Sequence, residues 1–477
     1  MWDLLILTAM DASQKESYEM ELLEIPLDVV RKWAVIEDEP KTLKIGSGGS
    51  TFLCLRHLRN YFGDFSGKKI LIMHSGGLSQ RLPTASALGK AFLTFPNGRS
   101  MVNMKLNAYR RVEEQLGAGV VIASSDTLEH FDDAFDFRID NSAEVVLFGH
   151  RSTTAIGEQH GVYVLEGDRL QRVLQKPSRS AMQENGAFLG DKNHVVTDSF
   201  FALRGTSLLD ALLRVADSFA ESEEKTEVCC YGDFLRPLGA DPRVDFISKT
   251  EDPALRRWRT ELNGTFHGRR TQTILLPGDD TFFHFGTTRE FSQHVRPKSA
   301  FVKCFPMETR SVVFSEVHTD QAYSKEPRFQ MEEGSFVEYC SFKGPVEIGQ
   351  YCFLSNLQTN AALQVPNNTT LITIPIHGRR FVTMAFETNQ PLKDPTSCWF
   401  AHHFDKPTMT WNSKLFKAED SAEKSLETTL HAVKSGRLPS QDSFPLLSVR
   451  DVLSAKNVKL LVEWRRNLKE AKHQREE

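Results

Sequence analysis

The chain has 477 residues, of which 40% are hydrophobic and 25% charged, with a formal net charge of -4. That length exceeds one compact core and calls for two or three domains. The near-neutral balance argues against nucleic acid as the main target, so a phosphorylated ligand must be held by local cations.

Trp2 to Ala9 reads as a first strand, followed by a charged amphipathic helix through about Leu23. Ile45-Gly46-Ser47-Gly48-Gly49-Ser50-Thr51 reads as a glycine turn, and Thr51 to Tyr61 as a helix with Phe52, Leu55 and Leu58 on one face. Ile70-Leu71-Ile72-Met73 is a buried strand that breaks at Ser75-Gly76-Gly77, where glycine allows close approach of backbone to a ligand. Arg81, Pro83 and Gly89-Lys90 follow. A strand, a glycine turn and then spaced cations can cradle phosphates: N–H groups face the anion and the cations neutralise its oxygens. An ordinary strand-to-helix turn with surface charges is the plainer alternative.

Met101 to Leu116 has helical spacing, and Gly119 to Ala123 is a strand ending in Ser124-Ser125-Asp126-Thr127. An acid just past a strand's carboxyl end stands where open α/β sheets bind ligands; a helix N-cap is its structural alternative. Val145 to Phe148 is a strand, Gly161 to Leu174 a hairpin followed by Gln175-Lys176-Pro177, Val195 to Leu203 a strand and Ser207 to Phe219 a helix. Such alternation predicts a largely parallel α/β sheet. From Phe301 to Phe386 short β-rich runs punctuated by glycine predict a β-helix-like domain, with a small sandwich as the alternative. Pro407 to the end reads as largely helical, with helices at Ala418 to Ser435 and Val449 to Ala471. The expected domains are 1–296 (α/β, Rossmann-like), 297–395 (β-helix-like) and 396–477 (mainly helical).

The seven cysteines, Cys54, Cys229, Cys230, Cys304, Cys340, Cys352 and Cys398, show no metal spacing, and an odd number closes no disulfide set. Reduced thiols in a cytoplasmic protein are expected. No apolar run approaches the roughly 18 residues of a membrane span, so no membrane partner is expected. Oligomeric state is not legible.

Ser75-Gly76-Gly77 with Arg81-Leu82-Pro83 and Lys90 resembles the signature loop of sugar-nucleotide pyrophosphorylases. The full string HSGGLSQRLPTASALGKAF is similar to the branch that acts on fucose 1-phosphate with GTP, as are WDLLILTA, KIGSGGST and FFHFGTTREF, in the same order. Pro83 follows Leu82 directly, and the arginine-to-lysine spacing is one residue shorter than in the wider signature. The resemblance implies a nucleotidyltransferase fold and one activity: attack by L-fucose 1-phosphate on the α-phosphorus of GTP, giving GDP-L-fucose and pyrophosphate. No kinase phosphate loop follows residue 400.

By the same resemblance, Gly76 and Gly77 bring N–H groups to the triphosphate, Arg81 holds the leaving phosphates and Lys90 the α-phosphate. Gly46, Gly48, Gly49, Ser50 and Thr51 line the nucleotide, and Lys176 binds the sugar phosphate, with Glu227, Asp233 and Thr287 assigned to the sugar side. Asp126 binds Mg²⁺. The second metal-binding acid of related enzymes is replaced by His284, a poor Mg²⁺ ligand, so either the metal has one protein carboxylate or another acid serves, with Asp198 the first choice ahead of Asp233 and a structural role its alternative. The alternatives are a pyrophosphorylase for another sugar and base, or a catalytically silent nucleotide-sugar sensor.

Overall fold

The computed structural model describes residues 1–24, 27–41, 43–307, 312–317, 329–390, 398–402, 410–441 and 445–476. The start of the helical tail read at Pro407 lies outside them. The chain forms two compact units. One comprises Met1–Glu19, Pro26–Gly77 and Val102–Phe283; the other comprises Met20–Ile25, Leu78–Met101 and His284–Glu477. This differs from a sequential division at 296 and 395: Leu78–Met101 belongs with the later residues, and the C-terminal helices share one core with the β-rich stretch. Composition cannot show this, because packing joins segments remote in sequence.

The first unit is built on apolar runs that bury both faces of a sheet. Its elements are β1 (Leu4–Ala9), α1 (beginning at Ala12 in Ala12–Glu24), β2 (Trp33–Glu37), α2 (Gly46–Phe62), β3 (Lys69–His74), β4 (Gly119–Ser124), β5 (Val145–Thr153), β6 (Gly161–Glu166), β7 (Arg169–Gln175), β8 (His194–Leu203), α3 (Thr206–Glu221), α4 (Pro253–Phe266) and β9 (Thr271–Leu276). The strand order is β9-β5-β8-β4-β3-β1-β2, with β6 beside β8 and β7 beside β6. β1, β2, β3 and β4 pair in parallel, as do β9 and β5. β8 runs antiparallel to both β4 and β5, so the sheet is mixed and not largely parallel. The cause is the β6–β7 hairpin, which turns at Gly167 (φ 59°) and supplies no helical crossover that would keep β8 parallel to its neighbours. A register shift between Leu147 and Gly149 opposite Asp198 to Phe201 makes a β-bulge in the middle of the sheet.

The helix read from Met101 to Leu116 is two, Met101–Ala108 and Arg110–Leu116. Gly46-Ser47-Gly48-Gly49-Ser50, read as a turn, is the first part of α2. Packing overrides glycine's poor helix propensity there. A Cβ at Gly46 would stand 2.4 Å from Val228 O, and one at Gly48 2.6 Å from Val228 Cγ1. Gly48 N–H donates to Val228 O at 2.7 Å, and Val228 N–H to Ile45 O at 2.9 Å. The glycines let the helix end lie directly against the chain at Val228.

In the second unit, Phe336–Glu338, Phe353–Ser355 and Thr369–Ile376 pair in parallel, as do Ser341–Phe342 with Gln358–Thr359 and Val346–Ile348 with Leu363–Val365. Successive partners such as Ser335 and Cys352 are 17 residues apart. Arg380–Glu387 turns back antiparallel, and Ala422–Ser435 packs on it, Thr429 donating to Thr383 O at 2.8 Å. None of the seven cysteines is joined in a disulfide, and no described helix is long and apolar enough to cross a membrane.

Candidate active site

The glycine turn after β3 is latched from α1. Tyr18 donates its hydroxyl hydrogen to Ser75 O at 2.6 Å, and Gln14 Nε2 donates to Gly77 O at 2.9 Å. Gln14 is itself fixed by Met10 N–H, which donates to its Oε1 at 2.7 Å. On β1, Thr8 Oγ1 accepts from Ser75 N–H at 3.1 Å and more weakly from Gly76 N–H at 3.4 Å. The carbonyls of Ser75 and Gly77 are thereby committed to protein donors. Among the described residues the N–H of Gly77 meets no acceptor, and a Cβ there would touch nothing within 4 Å. With φ 121°, that position suits glycine alone. A turn whose carbonyls are fixed and whose glycine N–H is open is chemically suited to an anion. The sequence reading missed Thr8, Gln14 and Tyr18. The available signal was a tyrosine on the apolar side of an otherwise charged helix.

The neighbouring α2 terminus is less open. Ser50 donates to Asp38 Oδ1 at 2.5 Å, and Thr51 shares a hydrogen with His74 Nε2 at 3.0 Å. Burial pushes the Asp38 carboxyl up to about 6 against the opposing hydrogen bond from Ser50. Gly46, Gly48 and Gly49 lie against Val228 and Ile45.

Asp126 stands on the turn after β4, half-buried, and its carboxylate accepts the Ser124 hydroxyl. A fully buried ion pair braces this turn. Lys105 Nζ lies 3.2 Å from Glu129 Oε2, and both side chains have no exposed surface. Lys105 also donates to Ser124 O at 2.6 Å and to Thr127 Oγ1 at 3.0 Å. Glu129 further accepts from Tyr109 at 2.8 Å and from Ser199 at 3.0 Å. Burial lowers the Lys105 pKa, and Glu129 counters it. Sequence gave no sign of this network.

The other candidates of the first unit divide by how far their polar atoms are used. Asp233 is buried and closed by Arg259 Nε at 2.7 Å and Cys229 N–H at 2.8 Å. Glu227 pairs with Lys44 at 2.6 Å. Asp198 is 7% exposed, and its Oδ1 accepts Gly161 N–H at 3.1 Å. Lys176 is exposed, with φ 46°. His150, 3% exposed, stacks on Phe282 at 3.9 Å and meets Thr197 Oγ1 through Nε2 at 3.0 Å. Burial, then the neighbouring His160, pushes its pKa down to about 3. A base depressed in the folded state stabilises above its unfolded pKa of about 6.5, and that stability is lost as pH falls towards the folded value. Unfolding monitored between pH 6.5 and 3 is therefore expected to show falling stability, with a shallower slope in His150→Asn; equal slopes would contradict this source.

In the second unit, Arg81 is exposed and its carbonyl accepts Thr288 N–H at 3.0 Å. Lys90 opens a short 3-10 turn after Gly89 (φ 84°) and is half-buried. The segment between the two cations is not helical throughout but is almost wholly buried, and Lys456 Nζ ties it down by donating to Ala87 O at 2.8 Å. Thr287 is a helix N-cap: its oxygen accepts Glu290 N–H at 3.1 Å, and its hydroxyl donates to Glu290 Oε2 at 3.1 Å. His284 Nδ1 lies 3.4 Å from Glu290 Oε1. Burial opposes ionisation of Glu290, but the bonds to His284 and Thr287 outweigh it and hold its carboxyl at about 2.

Among the described residues no three His, Cys, Asp or Glu side chains converge as a metal cage. Mg²⁺ does not require one, since it takes one or two carboxylates together with substrate phosphates.

Comparison with known proteins agrees with the signature loop. A fucose pyrophosphorylase domain model matches residues 64–437. Human fucose-1-phosphate guanylyltransferase is 27% identical over 98% of this chain and 90% of its own length. The mouse protein of that name is also 27% identical, over 98% of this chain and 92% of its own length. The L-fucokinase/L-fucose-1-P guanylyltransferase of Bacteroides fragilis is 23% identical over 57% of this chain and 29% of its own length. With a family model spanning most of its residues, the chain belongs to the fucose pyrophosphorylase family.

Proposed function

We propose that the chain is a nucleotidyltransferase that joins GTP and L-fucose 1-phosphate into GDP-L-fucose, with release of pyrophosphate. The observation that carries this reading is the latched glycine turn with the open Gly77 N–H, within a chain of this family. The attacking phosphate oxygen is already anionic at neutral pH, so no side chain need act as a base. The barrier is repulsion between anions, and the protein's part is alignment and charge neutralisation.

Gly77 donates to the triphosphate, Arg81 grips the departing β- and γ-phosphates with its planar fork, and Lys90 meets the α-phosphate as charge builds there. Lys176 holds the phosphate of the sugar. Asp126 fits as the carboxylate for Mg²⁺, being a half-buried oxygen donor on a braced turn. When bound, that ion neutralises phosphate oxygens. Asp198 fits this role less well, since its carboxylate is buried and holds Gly161 N–H. The 17-residue offset between parallel partners in the second unit supports reading its ladders as coils of a β-helix.

The test is a pyrophosphate-release assay crossing four nucleoside triphosphates with fucose, mannose, glucose and N-acetylglucosamine 1-phosphates. The reading predicts the best rate with GTP and L-fucose 1-phosphate. A better rate with another pair would replace the substrates, and no rate with any pair in the presence of Mg²⁺ would favour a silent sensor.

A further inference from the structure

Gln14 on α1 divides its amide between two tasks. Its Oε1 accepts Met10 N–H at 2.7 Å, while its Nε2 donates to Gly77 O at 2.9 Å, 63 residues away along the chain. Its own N–H donates to Asp11 Oδ1 at 2.8 Å, so the start of α1 is closed much as in a capping box. That closure needs only the acceptor oxygen, and a glutamate would serve the helix equally well. The donor nitrogen is required by the glycine turn alone. The side chain is buried, and its two contacts fix which way round the amide lies.

A trans peptide carries its carbonyl and its N–H on opposite sides, so holding one aims the other. Tyr18 holds Ser75 O, which aims the N–H of the same peptide, on Gly76, towards Thr8 Oγ1. Gln14 holds Gly77 O, which aims the N–H of that peptide, on Leu78, away from α1. Among the described residues the Leu78 N–H, like that of Gly77, meets no acceptor. The Gly76–Gly77 peptide has neither its carbonyl nor its N–H bonded, and is steered only through the held peptides on either side. Glycine at both positions, with φ 121° at Gly77, lets these peptide planes turn at little cost. Without the hold on Gly77 O, the turn would present carbonyls as readily as N–H groups. Successive open N–H groups form an anion cradle, whereas a reversed peptide puts a carbonyl oxygen into it.

We propose that Gln14 is a positioning residue for the triphosphate: it keeps the Gly77–Leu78 peptide with its carbonyl turned to α1 and its N–H turned to the phosphates. This rests on the nucleotidyltransferase reading above. Gln14→Glu keeps the oxygen that Met10 uses and replaces the donor with an acceptor. Ionised, the new side chain repels Gly77 O and draws the Leu78 N–H to itself; protonated, it donates as the amide does. At about pH 8 the variant is expected to raise Kd for GTP and for inorganic tripolyphosphate about tenfold or more, with Kd for L-fucose 1-phosphate changed less than about twofold. As pH falls towards about 5.5 the ratio of variant to parent Kd should approach one, because a buried carboxyl takes up its proton above the ordinary range. Asp11 beside Gln14, and Asp38 and His74 at the ends of β2 and β3, titrate in both proteins and cancel in that ratio. A ratio near one at every pH would overturn the inference. So would a loss that acid does not relieve, or an equal loss with L-fucose 1-phosphate, since either marks a general structural fault. If Gln14→Glu does not fold, Gln14→Met decides: it should weaken GTP and tripolyphosphate at every pH, and parent-like binding would overturn the inference. If the parent prefers another nucleoside triphosphate, the GTP reading falls, while the variants must still weaken that one and tripolyphosphate.

Discussion

Lys90→Ala is expected to lower kcat by on the order of a thousandfold or more, with little change in the folded state. The effect is electrostatic. In-line attack brings one phosphate to another, and negative charge on the α-phosphate is greatest in the transition state. A cation placed there stabilises the transition state more than the ground state, so its loss falls on kcat rather than on binding. The lysine follows Gly89 at the end of a buried segment that Lys456 anchors. Its backbone is therefore positioned by residues the substitution leaves alone. Arg81→Ala, by contrast, should raise KM for GTP as well as lower kcat, because the leaving phosphates are already charged before reaction. Single-turnover measurements check both. A Lys90→Ala enzyme within about tenfold of the parent rate, well short of the loss expected for a principal electrostatic contact, would remove Lys90 from the α-phosphate.

The largest effect on stability is expected at Lys105. Lys105→Met leaves the fully buried Glu129 without its counter-charge and should cost about 3–5 kcal/mol. Lys105→Met/Glu129→Gln removes the stranded charge, while Tyr109 and Ser199 still have a side-chain acceptor at position 129. The double variant is therefore expected to recover much of the loss. Urea midpoints for the parent, both single variants and the double variant decide the matter. A single variant within about 0.5 kcal/mol of the parent would contradict the account of the pair. The consequence reaches the site, because Lys105 also holds Ser124 O beside Asp126. The neutral pair should weaken Mn²⁺ binding, read by electron paramagnetic resonance, even where the fold is kept.

What the sequence made legible follows from which signals are local. The apolar runs of β1, β3 and β4 and the hairpin around Gly167 are strong local patterns, and they stand where they were read. The direction of β8 was not readable, because a buried run such as Val195 to Leu203 is the same string in either orientation. The helix start at Gly46 to Ser50 is not legible as one because Gly46 and Gly48 answer to Val228, far along the chain. Thr287 shows the same limit differently: its hydroxyl serves a helix end formed with Glu290, a role a short motif does not reveal. In the signature loop, Gly76, Gly77, Arg81 and Lys90 were visible, while the residues fixing the loop were not. Gln14 and Tyr18 lie some sixty residues before the carbonyls they hold.

The central claim, that an oxygen of the sugar phosphate attacks the α-phosphorus of GTP, is tested most directly by following the phosphorus atoms. Purified protein is incubated with GTP, L-fucose 1-phosphate and Mg²⁺, and the products are resolved by phosphorus NMR. The account predicts GDP-fucose and inorganic pyrophosphate in equal amounts, and no GDP or orthophosphate. Orthophosphate with GDP, or consumption of GTP without a nucleotide sugar, would contradict it.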